Sequence, residues 1–354
     1  MSKKDVMRPF FGEGLASSPL LTRSFSVHGW SLNVITNSDF ILTSVTELLE
    51  YFRCSDVIEK PDMKFCLMES PFSRFPLLPT VRKEGCLLFN SEDEDLLHVS
   101  REMGIDLRFL SWREFYLADF GSKGVLLLHI PEGVGMGIFP NASCIHPRIL
   151  SNFIFLTGLS EILRSRGLYP VHGAGLANGE QGILIPGFTG SGKTTLSIAL
   201  LRKGFRFLSD DRSLLRENEA GFELLAFPEG LDVTGKTISF FPEIREKLGG
   251  FSETSLHKRT FRVESVYPDT LTRRCSPKTL IFPKIAERTF SRLEPISRME
   301  AIERFLPHSL LVFDQGIAEK QFYFLCQLVQ KMDCYRLHFG KDLLDVSRLI
   351  EEIL

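Results

Sequence analysis

Residues Gly187, Phe188, Thr189, Gly190, Ser191, Gly192, Lys193 and Thr194 match the pattern GxxxxGK[ST] in full. The apolar run Gly182-Ile183-Leu184-Ile185 precedes them, and Leu196, Ala199, Leu200 and a closing Gly204 follow at helical spacing. This context demands an α/β architecture in which a glycine loop joins the end of a strand to the start of a helix. The glycines let backbone N–H groups converge on phosphate oxygens, in φ/ψ regions closed to a Cβ. The helix start turns its positive dipole end toward the same oxygens. Lys193 offers a point charge to the β- and γ-phosphates, and Thr194 offers a hydroxyl ligand to Mg²⁺. The expected ligands are a nucleoside triphosphate (ATP or GTP) and Mg²⁺, with Thr195 extending the binding segment into the helix.

Residues 205–208 read as a strand that ends in Ser209-Asp210-Asp211. Strand, loop, helix and strand follow one another without insertion. The right-handed crossover rule makes this second strand parallel to the first, with its C-terminal end on the phosphate side. Two adjacent strand-end carboxylates point to opposite sides, so one can face Mg²⁺ while the other serves as a general base. The alternative is that they cap the turn before Ser213-Leu214-Leu215. His172 stands before Gly173 at the start of the hairpin that feeds the loop. It is either a packing residue of that hairpin or a third member of the site.

Together, His172-Gly173, residues 187–194, Arg202-Lys203-Gly204 and Asp210-Asp211 resemble the C-terminal catalytic domain of the HPr kinase/phosphorylase family. The resemblance covers about 40 residues, 171–211, and continues more loosely through residues 278–283. It implies the phosphoenolpyruvate-carboxykinase-like variant of the P-loop fold. It also implies phosphoryl transfer from a nucleotide to a hydroxyl, such as a serine of a protein or peptide. By the same resemblance Asp210 matches the catalytic acid/base, Asp211 a metal-side carboxylate and His172 the neighbouring histidine. The family's Ser-Glu after the lysine is Thr194-Thr195 here. Its glycine-rich segment with a metal-binding glutamate has no counterpart within residues 226–260, so the acceptor is left unassigned.

The rest of the chain bounds this picture. A boundary near residue 150 separates an α+β N-terminal region, 1–150, from the P-loop domain, 151–354. No nucleophile, base or metal cluster stands out before residue 150, so that region is expected to choose the acceptor or partner. Residues 31–42 read as strand, 45–52 as a short helix, 71–79 as a proline-punctuated loop and 124–130 as a buried strand. Pro147, an apolar helical pattern over 149–163 and Gly167 mark a helix. The run Glu92 to Asp95 reads as a solvated turn. His257, Lys258, Arg259, Arg262, Arg273 and Arg274 form either a solvated face or a loop that swings onto the γ-phosphate.

With 42 Lys and Arg against 44 Asp and Glu, the formal charge is −2. There is no basic field for nucleic acid or an anionic membrane. No apolar run is long enough to span a bilayer, and the N-terminus lacks an apolar signal core. The seven cysteines are scattered without a CxxC pair, so a reduced cytoplasmic setting is expected. Cys334 and His338 share a metal-like spacing but lack a partner pair. Two further functions fit the same motif: a regulatory nucleotide-binding module with slow hydrolysis, and a kinase of free serine or a metabolite. The expected partners are a nucleotide and a protein, peptide or small hydroxyl-bearing acceptor, with room for an oligomer.

Overall fold

The computed structural model describes residues 19–90, 105–249, 258–286, 289–309, 313–340, 342 and 345–354. The acidic run at 92–95 and His257 lie outside them. Two compact units make up the chain, one of residues 1–166 with 311–317, the other of 167–310 with 318–354.

In the first unit, β1 (Leu21–Val27) and β2 (Trp30–Thr36) form a hairpin. His28 and Gly29 both have positive φ, 50° and 100°, as the two central positions of a tight primed turn require. Helix α1 (Asp39–Leu49) follows, then β3 (Met63–Glu69), α2 (Leu78–Glu84), β4 (Cys86–Asn90), β5 (Arg108–Trp112), β6 (Phe115–Asp119), β7 (Val125–His129) and β8 (Val134–Phe139). They make an eight-stranded sheet in the order β1-β2-β3-β8-β7-β6-β5-β4. Only the β2–β3 and β3–β8 pairs are parallel. A π-helical turn, Ile149–Phe155, runs into α3 (Leu156–Ser165). Gly158 of α3 lies so close to the sheet that a Cβ there would stand 2.5 Å from Leu126 Cδ2.

The expected boundary lay near residue 150, whereas the two compact units divide after residue 166. The 149–165 helix buries Leu150, Ile154, Phe155, Leu159 and Ile162 and belongs to the first unit. The residues expected to be strand up to 42 also divide differently. Strand β2 stops at Thr36, and Phe40, Ile41 and Leu42 lie in α1, because a short apolar run alone does not distinguish strand from helix.

The second unit opens with the β9 (Tyr169–Asn178) and β10 (Gln181–Pro186) hairpin, followed by α4 (Lys193–Leu201), β11 (Arg206–Ser209), β12 (Arg212–Asn218), β13 (Gly221–Leu225) and β14 (Leu231–Val233). Then come α5 (Gly235–Phe240), α6 (Pro242–Leu248), β15 (Arg259–Phe261), β16 (Arg274–Ile285), β17 (Arg292–Pro295) and α7 (Arg298–Phe305). Helix α8 (Gln315–Lys331), β18 (Asp333–Phe339) and α9 (Val346–Glu351) complete the chain. The main sheet runs β10-β9-β12-β13-β16-β18-β17, with β11 on β9 and a further parallel pairing of β10 with β16.

Alternation along the strands builds two cores from this one sheet. Ile183, Ile185, Ile281 and Leu337 face a cluster with Leu196 and Leu200 of α4, Ile244 of α6 and Ile350 of α9. Leu184, Leu280, Phe282 and Cys334 face the other way, against Ala301 and Phe305 of α7 and Leu325 and Leu328 of α8. A period of two along each strand therefore gives helices on both sides of a mixed sheet.

Candidate phosphate-binding site

Strand β10 ends at Pro186 and α4 begins at Lys193, so the six residues between them form the loop. Gly190 and Gly192 have φ of 84° and 100°, conformations that glycine takes without a Cβ clash. At Gly187 a Cβ would stand 2.5 Å from Ser191 Oγ. The Ser191 N–H donates to the Phe188 carbonyl at 3.1 Å, which tightens the turn. Phe188 and Thr189 are exposed at its crest.

Lys193 is buried and turns back into the loop. Its ammonium donates to the Gly187 carbonyl and, at 3.3 Å, to that of Phe188. It also lies 3.4 Å from His172 Nε2 and 4.0 Å from Asp211 Oδ1. Burial holds its pKa below the usual lysine range, against the pull of Asp211 and Asp210. The Thr194 hydroxyl donates to Asp210 Oδ2 at 2.7 Å. Thr195 Oγ1 lies 3.3 Å from Thr237 Oγ1 in the first turn of α5.

The two aspartates arrive by the topology expected, with one difference. Strand β9 is antiparallel to both β10 and β11, so β10 and β11 point the same way with β9 between them. The register of β11 slips between Phe207 and Ser209, a bulge that turns the chain just before the acidic pair. Asp210 is buried beside Thr194, and burial pushes its carboxyl up to about 7. Asp211 is half-exposed, with Oδ1 3.5 Å from His172 Nδ1, while its carbonyl accepts from the Gly173 N–H at 3.0 Å. Burial raises its pKa, but His172, Arg212 and Lys193 outweigh that and hold it below the usual range. Burial likewise lowers the His172 pKa against the attraction of Asp211. The sequence-derived candidates Gly187–Thr195, Asp210, Asp211 and His172 thus meet in one place.

Three residues join them that carried no sequence signal. Glu229 salt-bridges Arg212 at 2.5 Å, has a buried, unpartnered Oε1, and is pushed by burial up to about 7. Thr237 reaches Thr195 from α5. His308, more than 100 residues downstream, packs its ring against Phe188, tilted by 51° with 4.4 Å between centroids. Glu229 lies in a loop, Thr237 in α5 and His308 in a short turn after α7, each brought to the phosphate loop by tertiary packing that local pattern does not encode. Of the basic stretch, Lys258 is exposed yet near enough for its charge to act on Lys193 and Asp211. Arg274 instead pairs with Glu223 at 3.0 Å. Cys334 and His338 go to separate partners, the Met332 carbonyl and Glu294.

The donor set fits a hard divalent cation. Thr194 Oγ1 and the Asp210 and Asp211 carboxylates are all oxygen ligands, and Asp210 Oδ1 is buried without a partner. No group of three His, Cys, Asp or Glu suited to a metal occurs among the described residues. That sparse set suits Mg²⁺, which keeps several waters and binds through one or two carboxylates plus phosphate oxygens.

No protein-family model and no curated protein sequence matches the chain. Among solved structures, the Hpr(Ser) kinase/phosphatase from Coxiella burnetii aligns at 13% identity and a TM-score of 0.29. It covers 52% of this chain and 95% of that one. At that score the likeness carries no weight for fold or function. Among the described residues no helix is long and apolar enough to cross a membrane.

Proposed function

We propose that the second unit is a P-loop phosphotransferase that moves the γ-phosphoryl group of ATP, with Mg²⁺, to a hydroxyl. The observation that carries this reading is the cluster of Lys193, Thr194, Asp210, Asp211 and His172 at the mouth of one glycine loop. The phosphoenolpyruvate-carboxykinase-like arrangement belongs to the same proposal. Its support is β9, which runs antiparallel between β10 and β11, where an ordinary doubly wound sheet is parallel. The N-terminal unit is assigned the choice of acceptor.

Backbone N–H groups of residues 188–193 cradle the β- and γ-phosphates, and Lys193 leaves its carbonyl partners to meet them. Thr194 and Asp210 hold the metal, their hydroxyl and carboxylate already 2.7 Å apart. Bound Mg²⁺ supplies charge neutralisation on the phosphate oxygens. Asp211, half-exposed and oriented by His172, accepts the proton of the incoming hydroxyl. This exchanges the two roles that the family resemblance implies. Buried Asp210 already engages the Thr194 hydroxyl, whereas Asp211 is open to an acceptor.

The test uses γ-labelled ATP, a lysate of the source cells, and the variants Asp210→Asn and Asp211→Asn. Asp211→Asn is expected to keep Mg²⁺-dependent nucleotide binding while label transfer falls roughly 10²–10⁴-fold, the usual worth of a positioned base. Asp210→Asn is expected to weaken binding and its Mg²⁺ dependence together. Label released only to water, from wild type and both variants alike, contradicts the phosphotransferase and leaves a regulatory module.

A further inference from the structure

His308 closes the short turn Leu306–His308 after α7, and its position is fixed from three sides. Phe305 just before it is fully buried in the core shared with α7 and α8. The Ser309 hydroxyl donates to the Leu306 carbonyl at 2.7 Å, and the buried Gln321 amide of α8 donates to the Ser309 carbonyl at 3.2 Å. His308 as a whole is 5% exposed. It lies against Phe188 of the phosphate loop and near-parallel to His172, with 6.1 Å and 30° between the two rings.

Despite this anchoring, His308 Nδ1 is buried with no hydrogen-bond partner. A buried polar atom left unpaired is costly, and where one persists in a fixed side chain it marks a group held ready for something else. Ser191 Oγ and Asp210 Oδ1, both at the same loop, are unpartnered in the same way. Burial, with help from the nearby His172 and Lys193 charges, lowers the His308 pKa to about 4. The ring is therefore uncharged at neutral pH, with one N–H and one lone pair. An uncharged donor beside Lys193 adds no cation–cation repulsion when the loop carries no anion.

We propose that His308 is a catalytic residue whose Nδ1–H donates a hydrogen bond to the phosphoryl group in transit at the loop. This rests on the phosphotransferase reading of the same site and names a residue that the loop motif does not contain. The role is electrophilic: the imidazole stabilises charge on a phosphoryl oxygen and moves no proton of its own. It commits the ring to one tautomer, with the proton on Nδ1.

Calorimetry with Mg²⁺ and ADP, with and without aluminium fluoride as a mimic of the transferring group, tests this directly. Wild type is expected to bind tighter with the fluoride. In His308→Phe, which keeps the packing on Phe188 but has no donor, that gain is expected to shrink roughly tenfold or more, as for a lost donor to an anion. His308→Gln, which restores an N–H, is expected to recover most of it. Binding of Mg²⁺–ADP alone is expected to match wild type in both variants, which also reports that they fold. A gain undiminished in His308→Phe, or a glutamine no better than phenylalanine, overturns the proposal, as does a wild type that gains nothing from fluoride. A wild type that binds no Mg²⁺–ADP at all instead removes the phosphotransferase reading.

Discussion

A histidine whose pKa drops to about 4 on folding refuses protons that the unfolded chain takes up from about pH 6.5 downward. The folded state therefore holds its full advantage above pH 6.5 and loses it as the pH falls toward 4. For His308 the loss is on the order of 2 kcal/mol across that window. His172 and Lys193 face the ring and push the same way. Urea unfolding at pH 7 and pH 5 is expected to show wild type losing more stability than His308→Gln; equal losses contradict it. Legibility at this scale divides by sequence distance. Lys193 and Thr194 are local to the loop, and Asp210 follows one helix and one strand later, so pattern and the crossover rule reach them. His308, Glu229 and Thr237 arrive through contacts made only once the sheet has formed. A lone histidine between proline and serine carries no mark of its partner 120 residues earlier.

The loop and its flanking elements work because glycine adopts conformations that other residues do not. Gly192 sits at φ 100° as the cap of α4, and a Cβ there would meet Phe339 Cδ1 at 3.0 Å. Gly192→Ala therefore carries both backbone strain and a collision with the end of β18. A stability loss of about 1–3 kcal/mol is expected, with weaker nucleotide binding because the first N–H groups of α4 lose their aim. Chemical denaturation with an unchanged midpoint contradicts this. The hairpin, the loop, the helix and the strand before the aspartates were all legible as elements, because alternation and helical spacing are strong there. The neighbour of each strand was not. Strand β9 pairs with β10 along one edge and with β11 and then β12 along the other. Hydrophobic pattern specifies which face a strand buries, not which strand lies beside it.

Across the whole molecule, the two units are interleaved in sequence, since residues 311–317 belong with the first. Phe313 packs within that unit on Phe109, 4.4 Å between ring centroids, and Asp314 accepts from the Tyr116 hydroxyl at 2.7 Å. This return of the chain was not legible, because so short a segment, running into the start of α8 at Gln315, carries no sign of a distant sheet. Every proposed phosphate and metal contact lies in the second unit. A fragment of residues 167–354 is therefore expected to bind Mg²⁺–ATP within about threefold of the full chain, a difference below 1 kcal/mol. A folded fragment without nucleotide affinity contradicts the assignment of the site to that unit.

The central claim is that this loop holds a nucleotide through Lys193 and Mg²⁺. Titration calorimetry of ATP into wild type and Lys193→Ala, each with Mg²⁺ and with EDTA, measures it directly. Lys193 gives the phosphates a charge-assisted contact, so the variant is expected to lose about 2–3 kcal/mol, roughly 30- to 150-fold in affinity. Wild type is expected to lose most of its affinity in EDTA. Equal binding by wild type and Lys193→Ala, or binding indifferent to Mg²⁺, contradicts the claim.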